Sequence, residues 1–157
     1  SIFFYEYLQK RKLQTNIIKN MEINGILDKT KNIAVVGLSK DRTKDSYRVS
    51  EYMKSSGYNI IPINPTADQI MNIKSYDSLK NLPENIGKQV DIVNIFRKKE
   101  FVKEIVIEAI ELKKKYNKLH TIWMQIGIDH EEAEEFAEKN GLKVITNKCL
   151  MIEHKRM

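Results

Sequence analysis

Cysteine is nearly absent from this chain. Its 157 residues include one, Cys149, so no intramolecular disulfide can form, and a reducing, cytoplasmic setting is expected. Histidine is almost as scarce: His120, His130 and His154 are the full set, and no His/Cys pair has the spacing of a zinc site. No metal site is therefore expected. No apolar run approaches the roughly 20 residues that a bilayer span requires. Low-complexity tracts, internal repeats and a linker that would mark a second domain are all missing. So are zinc-finger and RNA-recognition signatures, and no basic helix is interleaved with aromatics. The net charge of +6 allows a nucleic-acid partner, but Glu131, Glu132, Glu134, Glu135 and Glu138 would repel a polyanion, and none is expected.

What is present is the composition of a globular domain, 41% apolar and 31% charged, long enough for one real core. Half of the net charge sits in residues 1–20, where Lys10, Arg11, Lys12 and Lys19 face Glu6 alone. That segment starts apolar and turns basic, the reverse of a secretory signal. It is expected as an N-terminal extension, a peripheral helix or a poorly ordered arm, ahead of a domain spanning residues 21–157. Met21 is a candidate alternative start.

The rest of the chain is organised around Asn32–Arg48, NIAVVGLSKDRTKDSYR. Ile33–Val36 form a continuous apolar run of strand length, as in a strand buried on both faces of a parallel sheet. Gly37 allows a tight turn, a polar loop follows, and a helical pattern begins near Asp45 with Val49, Tyr52 and Met53 on one face. Strand, glycine turn and helix start is the geometry that offers free backbone N–H groups to a phosphate. Ser39, Thr43 and Ser46 add hydroxyls there, while Asp45 or Ser46 would also serve as a simple N-cap.

Further along, Tyr58–Ile63 reads as a second strand ended by Asn64-Pro65, and Val90–Phe96 as a third. Between them lie a short extended piece near Ile70–Ile73 and a helical turn at Asp77–Leu82. Glu22–Asp28 reads as a short lead-in helix. Lys98–Lys115 is the clearest helix, with Phe101, Val102, Ile105, Val106, Ala109, Ile110 and Leu112 on a broad apolar face. Thr121–Gln125 is a fourth strand broken by Gly127. Asp129 and Glu132 resemble a capping box for helix His130–Asn140. Leu142–Ile145 is a fifth strand, and Leu150–Lys155 a last helical turn. Trp123, Met124 and Phe136 are expected in the core, His120 and His130 at the surface.

Strands alternating with helices imply an α/β fold: a Rossmann-like, doubly wound, parallel five-stranded sheet in the order 3-2-1-4-5, helices on both faces. Ligands in such folds sit beyond the carboxyl ends of the strands. A nicotinamide dinucleotide fits poorly. The turn Gly37-Leu38-Ser39-Lys40-Asp41-Arg42 lacks two of the three fingerprint glycines, and Asn64-Pro65 offers no acid for a ribose. Arg97, Lys98 and Lys99, in contrast, crowd a helix start where cations oppose the macrodipole. Lys40, Arg42 and Lys44 crowd the first loop. A ligand with several phosphate charges would relieve both conflicts; a solvated basic surface is the plain alternative.

The stretches VVGLSKDRTKDSYRVSEYMKSSGYNIIPINP, VDIVNIFRKKE, IWMQIGI and NKCLMIEH, in that order, resemble the small stand-alone CoA-binding proteins. These are related to the CoA-binding domain of the succinyl-CoA synthetase alpha subunit. The likeness covers about Glu22–His154. It implies a Rossmann-type fold that binds coenzyme A or an acyl-CoA. By motif, Gly37, Leu38, Ser39, Lys40 and Arg42 would hold phosphates, with Ser46 and Arg48 closing that site. Asn64 and Pro65 would border the adenosine part. Phe96 and Arg97 would pack on and pair with the nucleotide end, and Gln125, Ile126 and Gly127 would line the path toward pantetheine. The lysine-rich loop Lys40–Lys44 departs from glycine- or proline-containing versions.

The synthetase reaction needs a phosphorylated histidine and a second subunit, and no nucleophile pattern accompanies the three histidines. A binding protein without catalytic residues of its own is therefore expected. An NAD(P)-binding protein, or a CoA-dependent regulatory or transferase subunit acting with a partner, is the alternative. The expected partner is a small-molecule CoA ligand, without nucleic acid or membrane; a homo-oligomer or a protein partner stays open. Cys149 either packs as a small apolar residue or, if the tail folds over the pocket mouth, approaches the CoA thiol.

Overall fold

A computed structural model describes residues 1–157. Five parallel strands make the sheet: β1 (Asn32–Val36), β2 (Asn59–Ile63), β5 (Ile92–Ile95), β6 (Thr121–Met124) and β7 (Lys143–Ile145). Between β2 and β5 the chain forms a two-stranded hairpin, β3 (Gln69–Ile70) and β4 (Ile73–Lys74). The helices are α1 (Ile2–Asp28), α2 (Asp45–Ser55), α3 (Glu84–Gly87), α4 (Lys99–Tyr116), α5 (Glu131–Lys139) and α6 (Leu150–Lys155).

The sheet order is β2-β1-β5-β6-β7. The Rossmann-like class stands, but the expected order does not: the third long strand lies beside β1, not outside β2. The place outside β2 is held by one residue, Tyr76, in a parallel bridge to Ile63. Tyr76 N donates to Pro62 O at 3.0 Å, and Asn64 N donates to Tyr76 O at 2.8 Å. Residues 66–88 carry no crossover helix of useful length, so they cannot deliver a full strand there. Pro62 is the overlooked signal, since a residue without an N–H belongs on a strand near a sheet edge. The third long strand then pairs on the free side of β1. Asp91 anchors that pairing: its Oδ2 accepts from Lys31 N and Asn32 N, both at 2.9 Å, and its own N–H donates to Asn32 O.

Alternating strand residues feed two cores. Ala34, Val36, Val93, Ile95, Ile122 and Met124 face α4 and α5, which bury Val102, Val106, Ala109, Ala133 and Ala137 against them. Ile33, Val35, Ile92 and Trp123 face the other side, where α2 brings Val49 and Met53, α6 brings Leu150, and the end of α1 brings Ile23, Ile26 and Leu27. The lead-in helix and the preceding segment are one unbroken helix, whose residues 2–18 are exposed.

Several local expectations change. The helical turn of residues 66–88 falls at Glu84–Gly87; Ser78–Leu82 makes only successive turns. The N-cap of α5 is His130, whose Nδ1 accepts from Ala133 N at 3.2 Å, while Glu134 returns to His130 N at 3.0 Å. Asp129 pairs instead with Lys99 at 3.6 Å. Phe136 is 44% exposed and Phe101 40%, so neither belongs to the core. His120 is half-buried between Thr30 and Thr121, and burial, with Lys29 nearby, pulls its pKa down to about 4.

Candidate binding site

In a doubly wound sheet the crevice opens where neighbouring strands lead their connections in opposite directions. Here that point lies between β1, which runs on to β2, and β5, which runs on to β6. Gly37 ends β1 with φ of +87°, and its N–H donates to Ile63 O at 3.0 Å. A Cβ at Gly37 would overlap the carbonyl oxygen of Phe96 and come within 2.9 Å of Arg97 Cδ. The two strand ends touch backbone to backbone, and only glycine permits it.

The loop after Gly37 is tied by its own polar groups. Ser46 Oγ accepts from Ser39 N at 3.0 Å, and Ser39 Oγ accepts from Asp41 N at 3.0 Å. Asp41 Oδ1 accepts from Thr43 N and Thr43 Oγ1, at 2.9 and 2.8 Å. Those donors, the backbone one foremost, hold the Asp41 carboxyl below the usual carboxylate range. Asn64 locks the loop to the end of β2: Nδ2 donates to Leu38 O at 3.0 Å, and Oδ1 accepts from Thr66 N and Oγ1, both at 2.8 Å. The N-cap of α2 is Lys44, which makes no side-chain cap, so neither Asp45 nor Ser46 caps the helix. The backbone N–H groups of Asp45 and Ser46 are left without partners at the helix's positive end.

Three depressions surround this loop. The main cleft, about 680 Å³, lies over the ends of β5 and β6 and is walled by Asp45, Arg48, Val49, Phe96, Arg97, Lys98, Gln125, Ile126, Cys149 and Met151. That volume is within the range of about 300–1,000 Å³ usual for small-molecule sites. A narrow niche of about 150 Å³ opens on the other side of Arg97, between Gly37, Pro65 and Phe101, with Asp77, Ser78 and Glu104 at its edge. The third, about 650 Å³, is a basic groove between α2 and the β3–β4 hairpin, carrying Lys40, Arg42 and Lys54.

Arg97 is the common wall of the main cleft and the niche. Its guanidinium lies 4.2 Å from the centroid of the Phe101 ring, a cation–π contact that orients the side chain without consuming its donors. Arg48 is paired with Asp45, and Lys99 with Asp129. Lys98 has no carboxylate partner.

Of the residues expected at the site, Arg48, Phe96, Arg97, Gln125 and Ile126 share the main cleft, and Gly37 and Pro65 border the niche. Lys40 and Arg42 face the separate groove. Leu38 is fully buried in the core, and Asn64 spends its side chain on the loop. Ser39 and Ser46 are engaged with each other. Gly127, at φ +82°, donates its N–H to Asn147 Oδ1 at 2.7 Å. Lys98, singled out with Arg97 by its charge at a helix start, is also a wall of the main cleft; sequence reasoning missed Phe101 and Met151. Phe101 carried a signal of its own: it stands at the solvent edge of the α4 stripe, one turn from Arg97.

Cys149 reaches the main cleft although β7 is two strands from the switch point. The segment after β7 folds back across the end of β6. Trp123 Nε1 donates to Lys148 O at 2.9 Å, and Lys148 N to Met124 O at 3.3 Å. α6 is then held on α2 by His154, whose Nδ1 lies 2.8 Å from Tyr52 Oη and whose ring meets Tyr52 and Tyr58 edge-on.

The architecture is that of a Rossmann-like α/β protein with a cleft at the sheet switch point. Comparison with known proteins narrows this. The family model of the CoA binding domain matches residues 31–155, and the chain belongs to that family. It is 38% identical over 133 residues to the uncharacterized protein YneT of Bacillus subtilis, covering 85% of this chain and 92% of that one. It is 31% identical over 130 residues to the alpha subunit of ADP-forming acetate–CoA ligase II of Pyrococcus furiosus, covering 78% of this chain but 27% of the subunit. Among solved structures, a hypothetical protein from Pyrococcus horikoshii superposes with a TM-score of 0.79 at 30% identity, covering 87% of this chain and 90% of that one. A Thermus thermophilus protein superposes at 0.77 with 31% identity, covering 87% and 97%.

Proposed function

We propose that the protein binds coenzyme A or an acyl-CoA at the switch-point cleft and carries no catalytic residues of its own. The observation that carries this is Arg97, which stands between two depressions of different character and beside the uncapped start of α2. The niche suits one planar ring: Pro65 and Phe101 are its apolar walls, and Asp77 and Glu104 are acceptors for an exocyclic amine. Arg97, Lys98 and the free N–H groups of Asp45 and Ser46 suit a pyrophosphate bridging the two. The larger cleft, with Val49, Phe96, Ile126 and Met151, suits an uncharged arm such as pantetheine. The missing glycines and ribose-reading acid argue against NAD(P).

Isothermal titration with CoA, NAD and a short oligonucleotide tests the reading. CoA should bind at millimolar concentration or below, and the other two should not. Equal or tighter binding of NAD would overturn it.

A further inference from the structure

We propose that Cys149 is a thiol-exchange site for the bound cofactor, forming a mixed disulfide with coenzyme A. The proposal rests on the CoA reading above and adds to it which end of the ligand lies against α6 and what chemistry happens there.

Two observations carry it. The first is placement: Cys149, which retains 8% of its surface, is a wall of the main cleft, held there by the Trp123–Lys148 hydrogen bond. Being the only cysteine, it has no other thiol to pair with in the chain. The second is independent of sulfur. Gln125, only 5% exposed, is a wall of the same cleft. Its Nε2 donates to Asn94 Oδ1 at 2.9 Å, which fixes the carboxamide and leaves Oε1 without any partner. A nearly buried amide carbonyl with no donor is a ready acceptor for an N–H of the ligand. Pantetheine carries two amide N–H groups and ends in the thiol, so a chain hydrogen-bonded at Gln125 runs its sulfur along the wall that holds Cys149. Phosphates anchored at Arg97 and Lys98 set the direction, because the thiol is the end of CoA remote from them.

The co-reactant is the disulfide of CoA. The Cys149 thiolate attacks one sulfur of that disulfide, its S–S bond breaks, and a Cys149–CoA bond forms. The second CoA leaves as a thiolate and takes up the proton that Cys149 gave to solvent. One disulfide replaces another, so no outside oxidant or reductant is required. A thiol reductant reverses the step.

Incubate the reduced protein with CoA disulfide or, separately, glutathione disulfide, and follow intact mass over time. The expected result is one reductant-sensitive, CoA-sized adduct, absent in Cys149→Ser. It should form about tenfold or more faster than the glutathione adduct, because binding supplies the local concentration. Adenosine 3′,5′-bisphosphate, which has the nucleotide end and no thiol, should remove that advantage. In parallel, titrate reduced CoA into reduced wild-type protein. If CoA binds and no adduct forms, the thiol-exchange role is overturned and the binding reading stands. If CoA does not bind and both disulfides react alike, both fail, and Cys149 is merely an accessible thiol.

Discussion

The carbonyl oxygen of Phe96 occupies the space that a Cβ on Gly37 would need. The backbone at Gly37 is also left-handed, with φ of +87°. Gly37→Ala therefore meets conformational strain and overlap together, and should cost about 2–4 kcal/mol. Denaturant unfolding measures this. Relief of the overlap requires the ends of β1 and β5 to part, so CoA binding should weaken in the same variant. An unchanged midpoint would mean that the two strand ends are not in contact.

Arg97→Ala should weaken CoA binding by about 1–3 kcal/mol, the scale of charge-assisted hydrogen bonds left unmade. The guanidinium stacks on exposed Phe101 and supports no buried element, so the melting temperature should hardly move. Titration calorimetry with a parallel melt separates the two effects. An unchanged dissociation constant in the folded variant would move the phosphate site elsewhere.

Asp91→Ala should destabilise the fold by about 2–4 kcal/mol, because the N–H groups of Lys31 and Asn32 both lose their acceptor. Lys118→Ala, which removes the ion pair at 3.3 Å from a half-exposed lysine, should cost less than about 1 kcal/mol. Urea midpoints of the two variants give the comparison. Equal losses would mean that the charge pair, and not the backbone clamp, holds β1 to β5.

His120 predicts a pH dependence. Burial first, and then Lys29, lower its folded pKa from 6.5 to about 4, with Asp91 opposing and Lys118 and Lys113 adding to the effect. Between those values the unfolded chain binds a proton at this imidazole that the folded chain refuses. Stability is therefore full above about pH 6.5 and falls as pH drops toward 4. His120→Gln should flatten the change in urea midpoint between pH 7 and pH 5. The same slope in both proteins would assign the effect to other groups.

The strands and their turns were legible in the residues alone. Ile33–Val36, Asn64-Pro65, Val90–Phe96 and the α4 stripe announce themselves because burial on both faces, glycine turns and the 3.6-residue period are local in sequence. The class of the sheet follows from their alternation. The strand order does not. It turned on whether residues 66–88 could supply a strand beyond β2, and the answer, a single bridge at Tyr76, depends on partners far away in the chain. The site divides in the same way. Arg97, Phe96 and Gln125 stand at strand ends, where any parallel sheet gathers its ligand contacts. Lys40 and Arg42, equally basic and equally near Gly37, face another groove, because the loop is turned by Ser39, Asp41 and Ser46 hydrogen bonds that spacing does not reveal. Cys149 is the sharpest case. In sequence it follows a strand at the edge of the sheet, out of reach of the switch point. It reaches the cleft because a buried indole needs an acceptor, and the acceptor within range is the carbonyl of Lys148.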